Sequence, residues 1–296
     1  MPGPDDNKAK KEFFSDVPVK TDSSFFLKGL GSYDWGLQDR MSRIFNPKSG
    51  KSVMLAFDHG YAYGPTAGLE RMDISIAPLV PYADCLMCAR GALRSVIPSD
   101  SNKPVALRMT AGTTILDPKV FENECVGLSI DEAIRLNASA MAVQVCVGAK
   151  DGMERVTIDN LCQLANLGNK YGIPVLGVTA VGKELVRDER YFTLATRILA
   201  ENGAHFVKTY FVEEGFENVV SACPVPIIIA GGKKMPELDA LTMAYRAIDQ
   251  GAAGVDMGRN VFQADDPIAM IKALCSVVHE NVKPEDAFDM YKSTKK

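Results

Sequence analysis

A lysine lies in the middle of an apolar run, residues 205–211, in which β-branched and aromatic side chains predominate. Such a run is typical of a buried strand. Because a buried ammonium without a partner is costly, we expect the pKa of Lys208 to be lowered. A lysine that loses its proton near neutral pH can attack a ketone and form a Schiff base. The alternative is a structural lysine paired with a buried carboxylate, for which Asp58 and Asp256 are the candidates.

Two later apolar runs end in glycine and indicate a phosphate site. One run leads into Gly231 and Gly232, and the next leads into Gly258 and Arg259. Glycine lets backbone N–H groups approach an anion, a helix N-terminus favours negative charge, and an arginine fork matches phosphate oxygens. The alternative is that these glycines merely turn the chain. Together with the lysine, the two pairs predict an enzyme that forms an imine with a phosphorylated ketone.

Polar residues at the ends of other predicted strands complete the candidate site. Asp58 and His59 lie at the end of the first strand. A carboxylate opposite Lys208 would assist carbinolamine formation and dehydration, and His59 could assist or orient the substrate. The alternative for Asp58 is a cap on the following turn. Gln144 and Cys146 lie on the fourth strand. A covalent acetyl group on Cys146 is a less favoured variant, because a small thiol on a strand is usually core packing.

β-like runs alternate with amphipathic helical patterns along the chain. The predicted strands are 53–59, 85–90, 105–111, 142–148, 175–180, 205–210, 227–230 and 254–257. The predicted helices include 129–137, 159–171, 189–201, 236–250 and 267–278. Alternation implies a parallel sheet, and eight such units predict an α/β fold of the (β/α)₈ TIM-barrel type. An open doubly wound sheet is disfavoured, because no G-x-G-x-x-G follows the first strand. The two glycine pairs then fall on the last two strands, where such barrels usually bind phosphate.

Composition limits the function classes. The chain has 296 residues with a net charge of −4, which argues against nucleic-acid or membrane partners. The polar N-terminus and the lack of a long apolar stretch predict neither signal peptide nor membrane span. Seven scattered cysteines predict reduced thiols in a cytoplasmic protein. We predict an arm and barrel-bottom or oligomer extension over residues 1–50 and a catalytic barrel over residues 51–296, with no metal site.

Taken together, these residues resemble the class I aldolases of the archaeal fructose-bisphosphate aldolase type. The likeness rests on Asp58-His59-Gly60, Lys208, Gly231-Gly232 and Gly258-Arg259, and it extends along nearly the whole chain. More specific stretches narrow it to a thiolase branch of that family. These stretches are residues 34–36, 42–47, 54–61, 186–188, 229–234 and 254–260.

The resemblance implies a Schiff base at Lys208, with Asp58 in the site and phosphate at the glycines. For the thiolase branch it implies cleavage of a small phosphorylated diketone from autoinducer-2 breakdown, yielding dihydroxyacetone phosphate and acetyl-CoA. Coenzyme A would be a co-substrate, with no bound cofactor. The resemblance also implies a cytoplasmic homo-oligomer built from rings, decameric in close relatives.

One departure from the family pattern lies on the fourth strand. Aldolases of the broader family carry an aromatic-x-tyrosine pair there, with the tyrosine as acid/base, whereas this chain has Gln144 and Cys146. The departure disfavours a fructose-bisphosphate aldolase and leaves the proton-transfer group open. An aldolase that cleaves another phosphorylated keto-sugar without coenzyme A is the first alternative. A barrel that binds a phosphorylated ligand without catalysis is the second, and the lysine in the strand disfavours it.

Overall fold

Eight short, buried, apolar runs form a closed parallel barrel in the computed structural model, which describes residues 25–117, 123–180 and 186–295. The barrel strands are β1 (Ser52–Ala56), β2 (Cys85–Cys88), β3 (Val105–Arg108), β6 (Ala140–Cys146), β7 (Val175–Ala180), β8 (Phe206–Tyr210), β9 (Ile227–Ala230) and β10 (Gly254–Met257). Their order around the barrel is β1-β10-β9-β8-β7-β6-β3-β2. The predicted TIM-barrel fold is confirmed.

Helices alternate with the strands, as the amphipathic patterns predict. They are α1 (Trp35–Ile44), α2 (Gly60–Tyr63), α3 (Met72–Ser75), α4 (Arg90–Val96), α5 (Ile130–Arg135), α6 (Met153–Tyr171), α7 (Glu189–Glu201), α8 (Phe216–Ala222), α9 (Glu237–Asp249), α10 (Arg259–Phe262), α11 (Pro267–Glu280) and α12 (Pro284–Thr294). Short 3₁₀ helices span Leu30–Ser32 and Ala77–Tyr82. At the start of α5 the Ser129 hydroxyl accepts a hydrogen bond from Glu132 N, which is the local reason for the helix to begin there.

The core has an outer layer between strands and helices and an inner layer inside the barrel. The inner layer holds Met54, Met87 and Phe206, and it continues into the segment before β1. Ile44 and Phe45 are fully buried there, and the rings of Phe45 and Phe206 meet edge to face at 5.5 Å. The end of α1 and the residue after it therefore close the N-terminal end of the barrel. The division at residue 50 stays a prediction, and residues 1–24 lie outside the described part of the chain.

An antiparallel hairpin after β3 is absent from the predicted elements. It consists of β4 (Thr110–Gly112) and β5 (Glu124–Val126), paired in register from Thr110–Val126 to Gly112–Glu124. The predicted strand 105–111 thus divides into two strands at Met109. The hairpin lies at the carboxyl end of β3, beside the barrel mouth, and it carries the fully buried Glu124.

Candidate active site

The carboxyl ends of the barrel strands surround a cavity of about 520 Å³. All ten residues singled out from the sequence line it. They are Asp58, His59, Gln144, Cys146, Lys208, Gly231, Gly232, Asp256, Gly258 and Arg259. Their individual roles stay predictions, but the fold brings them together. It does so because parallel strands present their carboxyl ends at one edge of a barrel.

The centre of the cavity is an ion pair. Lys208 on β8 donates a hydrogen bond from Nζ to Asp256 Oδ2 on β10 at 2.7 Å. Asp256 is 1% exposed and Lys208 8% exposed. Nζ also lies 3.5 Å from Met87 Sδ, on the opposite wall. Asp256 Oδ1 has no hydrogen-bond partner within residues 25–117, 123–180 and 186–295.

The expectation of a lowered lysine pKa was wrong. Burial does work to lower the pKa of Lys208, but the carboxylates of Asp256 and Asp58 outweigh it, so the pKa is raised. Burial raises the pKa of Asp256 as well, against the opposing effect of Lys208. The raised pKa of Lys208 therefore favours its ammonium form at rest. An amine able to attack a ketone exists only after the proton has moved, and Asp256 is the nearest acceptor with an oxygen to spare.

A buried cation adjoins this pair. Arg108, at the end of β3, donates from Nη1 to Asp58 Oδ2 at 2.9 Å and from Nη2 to Glu124 Oε1 at 2.6 Å. Its Nη2 also lies 3.2 Å from Gln144 Oε1 and 2.9 Å from the Tyr61 hydroxyl, which donates to Glu124. The Asp58 side chain therefore reaches into the mouth to meet arginine, and it makes no side-chain cap on α2.

Burial opposes the charge of Arg108, yet Glu124, Tyr61 and Asp58 hold its pKa above the usual value. From the sequence, no role was assigned to Arg108, Tyr61 or Glu124. Arg108 could have been noticed, because a guanidinium within an apolar run must find a carboxylate when the run is buried. Glu124 had no such signal, because it lies between predicted elements.

His59 contributes a neutral imidazole to the cavity wall. Burial is the main cause that lowers the pKa of His59, and the charges of Arg259 and Lys208 add to it. The ring stacks on Phe262 at a centroid distance of 6.1 Å. In the described part of the chain its Nε2 is buried without a hydrogen-bond partner. This nitrogen therefore retains unused hydrogen-bonding capacity beside the cavity.

Asn260 joins the loops after β9 and β10 into one surface. It is fully buried, donates from Nδ2 to Gly231 O at 2.6 Å and accepts from Met235 N at 2.9 Å. Arg259, next to it, has no hydrogen-bonded side-chain partner or ion pair among the residues that the structure describes. A cavity-facing guanidinium beside glycine loops suits a phosphate group. Asn260 was part of a motif in the sequence, but no positioning role was assigned to it.

Close packing requires glycine at residue 258. A Cβ there would lie 2.1 Å from Ala56 O at the end of β1, whereas Gly232 has open space around it and a φ of +67°. We expect Gly258→Ala to cost about 1–3 kcal/mol of overpacking beyond any conformational penalty, and Gly232→Ala about 1–2 kcal/mol from its left-handed backbone.

Urea unfolding at a fixed protein concentration measures both substitutions. A Gly258→Ala variant as stable as the wild type would show that the approach to β1 does not demand glycine. A clear loss of stability in Gly258→Ala would support the packing argument.

The remaining side of the mouth is formed by β6, β7 and β8. Gln144 and Cys146 lie two residues apart on β6 and both face the cavity, together with Tyr210. Arg187 lies over the Tyr210 ring, with its guanidinium carbon 4.8 Å from the ring centroid. Arg187 belongs to a family-like stretch of the sequence but received no role there. It adds an exposed cation to the rim, besides the half-buried Arg259.

No cluster of three or more histidine, cysteine, aspartate or glutamate side chains suited to a metal ion occurs in residues 25–117, 123–180 and 186–295. Within the same ranges, every helix is too short or too polar to cross a membrane.

Known proteins share this sequence and fold. The profile of the DeoC/LacD family aldolases matches residues 52–264. Relatives named 3-hydroxy-5-phosphonooxypentane-2,4-dione thiolase are 57% identical in Escherichia coli (strain K12) and 56% identical in Salmonella typhimurium, with 98% of each chain covered. An archaeal fructose 1,6-bisphosphate aldolase superimposes with a TM-score of 0.72 at 27% identity, over 82% of this chain and 99% of that chain.

A second solved structure bears on the lysine. It is an archaeal fructose-1,6-bisphosphate aldolase with its catalytic lysine bound covalently to the carbinolamine intermediate of the substrate. The TM-score is 0.71 at 26% identity, again over 82% of this chain and 99% of that one.

The barrel and its lysine-bearing mouth are the architecture of the class I aldolases, enzymes that form Schiff bases with their substrates. The chain belongs to the DeoC/LacD family of aldolases and is an enzyme of that family. The resemblance stated from the sequence, including its thiolase branch, is confirmed.

Proposed function

We propose that the protein is a thiolase that cleaves 3-hydroxy-5-phosphonooxypentane-2,4-dione with coenzyme A, yielding dihydroxyacetone phosphate and acetyl-CoA. The observation that carries the proposal is the buried Lys208–Asp256 pair inside a cavity that Arg259 also lines. Near-full-length identity of 57% to relatives of that name supports the choice of substrate. The protein then acts in the cytoplasm in autoinducer-2 degradation, a quorum-sensing process, as a homo-oligomer that we propose to be a decamer.

The substrate lies across the mouth with its phosphate on the side of β9 and β10. The phosphate takes N–H groups of Gly231, Gly232 and Gly258 and the guanidinium of Arg259. This places the C4 ketone, one carbon away from the phosphate ester carbon, at Lys208. The C2 carbonyl then points away from the glycine loops.

Imine formation begins with a proton transfer within the ion pair. Asp256 takes the proton from Lys208 Nζ, a transfer helped by the burial that raises the pKa of the Asp256 carboxyl. The free amine attacks C4, and the carbinolamine hydroxyl leaves as water after Asp256 returns a proton. The resulting iminium is positively charged and can accept an electron pair.

Cleavage uses the iminium as an electron sink. The coenzyme A thiol loses its proton and attacks the C2 carbonyl, forming a tetrahedral intermediate. The C2–C3 bond breaks, acetyl-CoA leaves, and the electron pair of the bond neutralises the iminium as an enamine. C3 then takes a proton, and water hydrolyses the imine to release dihydroxyacetone phosphate and Lys208.

His59 and Asp58 are the proposed proton carriers for this half of the reaction. His59 is suited to accept the thiol proton, because it lines the cavity, its lowered pKa favours the neutral ring, and its Nε2 has no hydrogen-bond partner among the described residues. Asp58 is fixed by its 2.9 Å contact with Arg108 and lies near Lys208, whose pKa it helps to raise. Neither Gln144 nor Cys146 is needed in this scheme.

Borohydride reduction in the presence of dihydroxyacetone phosphate tests the proposal. We expect a reduced adduct on the peptide that contains Lys208, detected by mass spectrometry, and an unchanged adduct yield in the control variant Lys234→Met, whose lysine pairs with Glu237 at 2.7 Å. If the wild-type protein binds dihydroxyacetone phosphate but forms no adduct on Lys208, the imine mechanism is wrong.

Dependence on coenzyme A separates thiolase from aldolase, the alternative that the archaeal neighbours favour. We expect one acetyl-CoA for each dihydroxyacetone phosphate formed from the diketone. An aldehyde product and turnover without a thiol would establish the aldolase instead. Reversible binding of dihydroxyacetone phosphate without an adduct would indicate a binding protein.

A further inference from the structure

A second cavity adjoins the first and takes no part in the scheme so far. It encloses about 560 Å³ beyond the carboxyl ends of β1, β2 and β3, a volume in the range of small-molecule sites. Its walls are largely apolar, with Phe57, Leu69, Met72 and Leu128 among them. An apolar cleft of this size on an enzyme calls for an occupant, since exposed apolar surface is usually functional when it is concave and continuous.

The two cavities share one wall. Asp58, Tyr61 and Arg108 line both of them, so the inner end of the apolar cleft is polar and opens on the reaction site. The Tyr61 ring lies under the Arg108 guanidinium, whose carbon is 4.8 Å from the ring centroid. A ligand with an apolar body and a reactive tip would place its tip at this wall.

The order of the strands puts the shared wall at the correct end of the substrate. In the order β1-β10-β9-β8-β7-β6-β3-β2, β3 lies opposite β9, and β2 lies opposite β8. A substrate whose phosphate lies at β9 and β10 and whose C4 lies at Lys208 therefore directs its acetyl end across the barrel towards β3 and β6, and Arg108 of the shared wall ends β3. Any thiol that attacks the acetyl carbonyl must arrive from that side.

The outer rim of the cleft is cationic on the side of α4. Arg90, which lines the cleft, pairs with Glu132 at 2.6 Å, and Arg94, one turn further along α4, lies 3.5 Å from the same carboxylate. Two guanidinium groups thus share one carboxylate and leave positive charge in excess. Glu70, on another part of the wall, is exposed to solvent. The arginines suit the phosphates of a nucleotide.

We propose that this second cavity binds the pantetheine arm of coenzyme A, with the thiol at the Asp58–Tyr61–Arg108 wall and the phosphates towards Arg90 and Arg94. The inference rests on the proposed thiolase function and adds the site and direction of the second substrate. An uncharged arm rich in methylene and methyl groups, a nucleophilic tip and an anionic tail match the lining, the inner wall and the rim in turn. A phosphorylated sugar has no apolar body that would pack against this lining.

Filling the cleft tests the site. Ala92 on α4 is half-buried and lines only the second cavity. We expect Ala92→Trp to raise KM for coenzyme A by about tenfold or more, while borohydride trapping of dihydroxyacetone phosphate on Lys208 is unchanged. The matched control is Ala222→Trp, the same substitution at a half-buried residue that ends α8, in a surface groove away from both cavities.

Truncated thiols test the rim. The double variant Arg90→Gln/Arg94→Gln is expected to raise KM for coenzyme A about tenfold and to leave KM for pantetheine, which lacks the nucleotide, within about twofold. Equal effects on the two thiols would overturn the placement of the phosphates. An unchanged KM for coenzyme A in both the tryptophan and the glutamine variants would overturn the site.

A structure with desulfo-coenzyme A, which has no thiol to react, decides the matter directly if Ala92→Trp does not fold. Density for the arm in the second cavity supports the site, and density elsewhere refutes it. The proposed function is tested separately from the site. It is wrong if the wild-type protein forms no Lys208 adduct or no acetyl-CoA.

Discussion

Lys208→Met removes imine trapping altogether and lowers the rate of diketone cleavage by at least about 10⁴-fold. Methionine fills much of the same space but offers no nucleophilic nitrogen and no electron sink. Adduct mass spectrometry and acetyl-CoA release measure the two effects. Substantial residual cleavage would mean that Lys208 acts only through its charge.

The same substitution makes the stability of the protein depend on pH. It leaves Asp256, which is 1% exposed, without its cation, so the pKa of a carboxyl already raised by burial rises further. A carboxyl whose folded pKa lies above its unfolded pKa is favoured in its protonated form by folding. Lys208→Met should therefore be most stable at low pH and lose stability as the pH rises through the folded pKa, by about 1.4 kcal/mol for each unit of difference.

Urea unfolding at pH 5 and pH 8 measures this slope. The double variant Lys208→Met/Asp256→Asn is the matched control, because it lacks the titrating carboxyl and should lose the added pH dependence. A single variant with the same pH profile as the wild type would show that the ion pair carries no coupling energy. The double variant is also expected to form no adduct. Loss of the adduct can then be distinguished from loss of stability.

Arg108→Met is expected to cost about 3–5 kcal/mol of folding free energy. Arg108 is 4% exposed, and its removal leaves the carboxylates of Asp58 and Glu124 buried without a cation. Cleavage should fall as well, because Asp58 loses the contact that holds it in the mouth. Activity is compared at a temperature where the variant is folded.

The control for this loss is Arg197→Met. Arg197 forms an exposed ion pair with Glu201 on one face of α7, and such pairs contribute at most about 1 kcal/mol. Denaturant unfolding of both variants gives the comparison. Similar losses for the buried and the exposed arginine would contradict the view that Arg108 neutralises two buried carboxylates.

The sequence predicts the barrel well, because β-branched runs and glycine or proline boundaries are local signals. It also places ten residues at one cavity, since the carboxyl ends of parallel strands converge whatever their side chains are. It could not supply the pKa of Lys208. That value depends on Asp256, which lies 48 residues further along the chain and two strands away around the barrel.

The Arg108–Glu124 contact escaped prediction for a different reason. It joins a barrel strand to the hairpin β4–β5, and three-residue strands carry too little periodicity to be recognised. Asn260 was recognised only as part of a family-like stretch. Its two hydrogen bonds could not be predicted, because they join loops that are distant in the sequence. At this site, contacts between loops are the features that the sequence alone did not predict.

The apolar floor of the barrel affects the fate of the acetyl group. Among the described residues, Met54, Met87 and Phe206, with Phe45 below them, close that end with apolar side chains. If the protein is the proposed thiolase, water and thiol then compete for C2 from the open side, where one product is acetate and the other a thioester. A floor of this kind favours the thioester, because it keeps water away from one side of the reacting carbons.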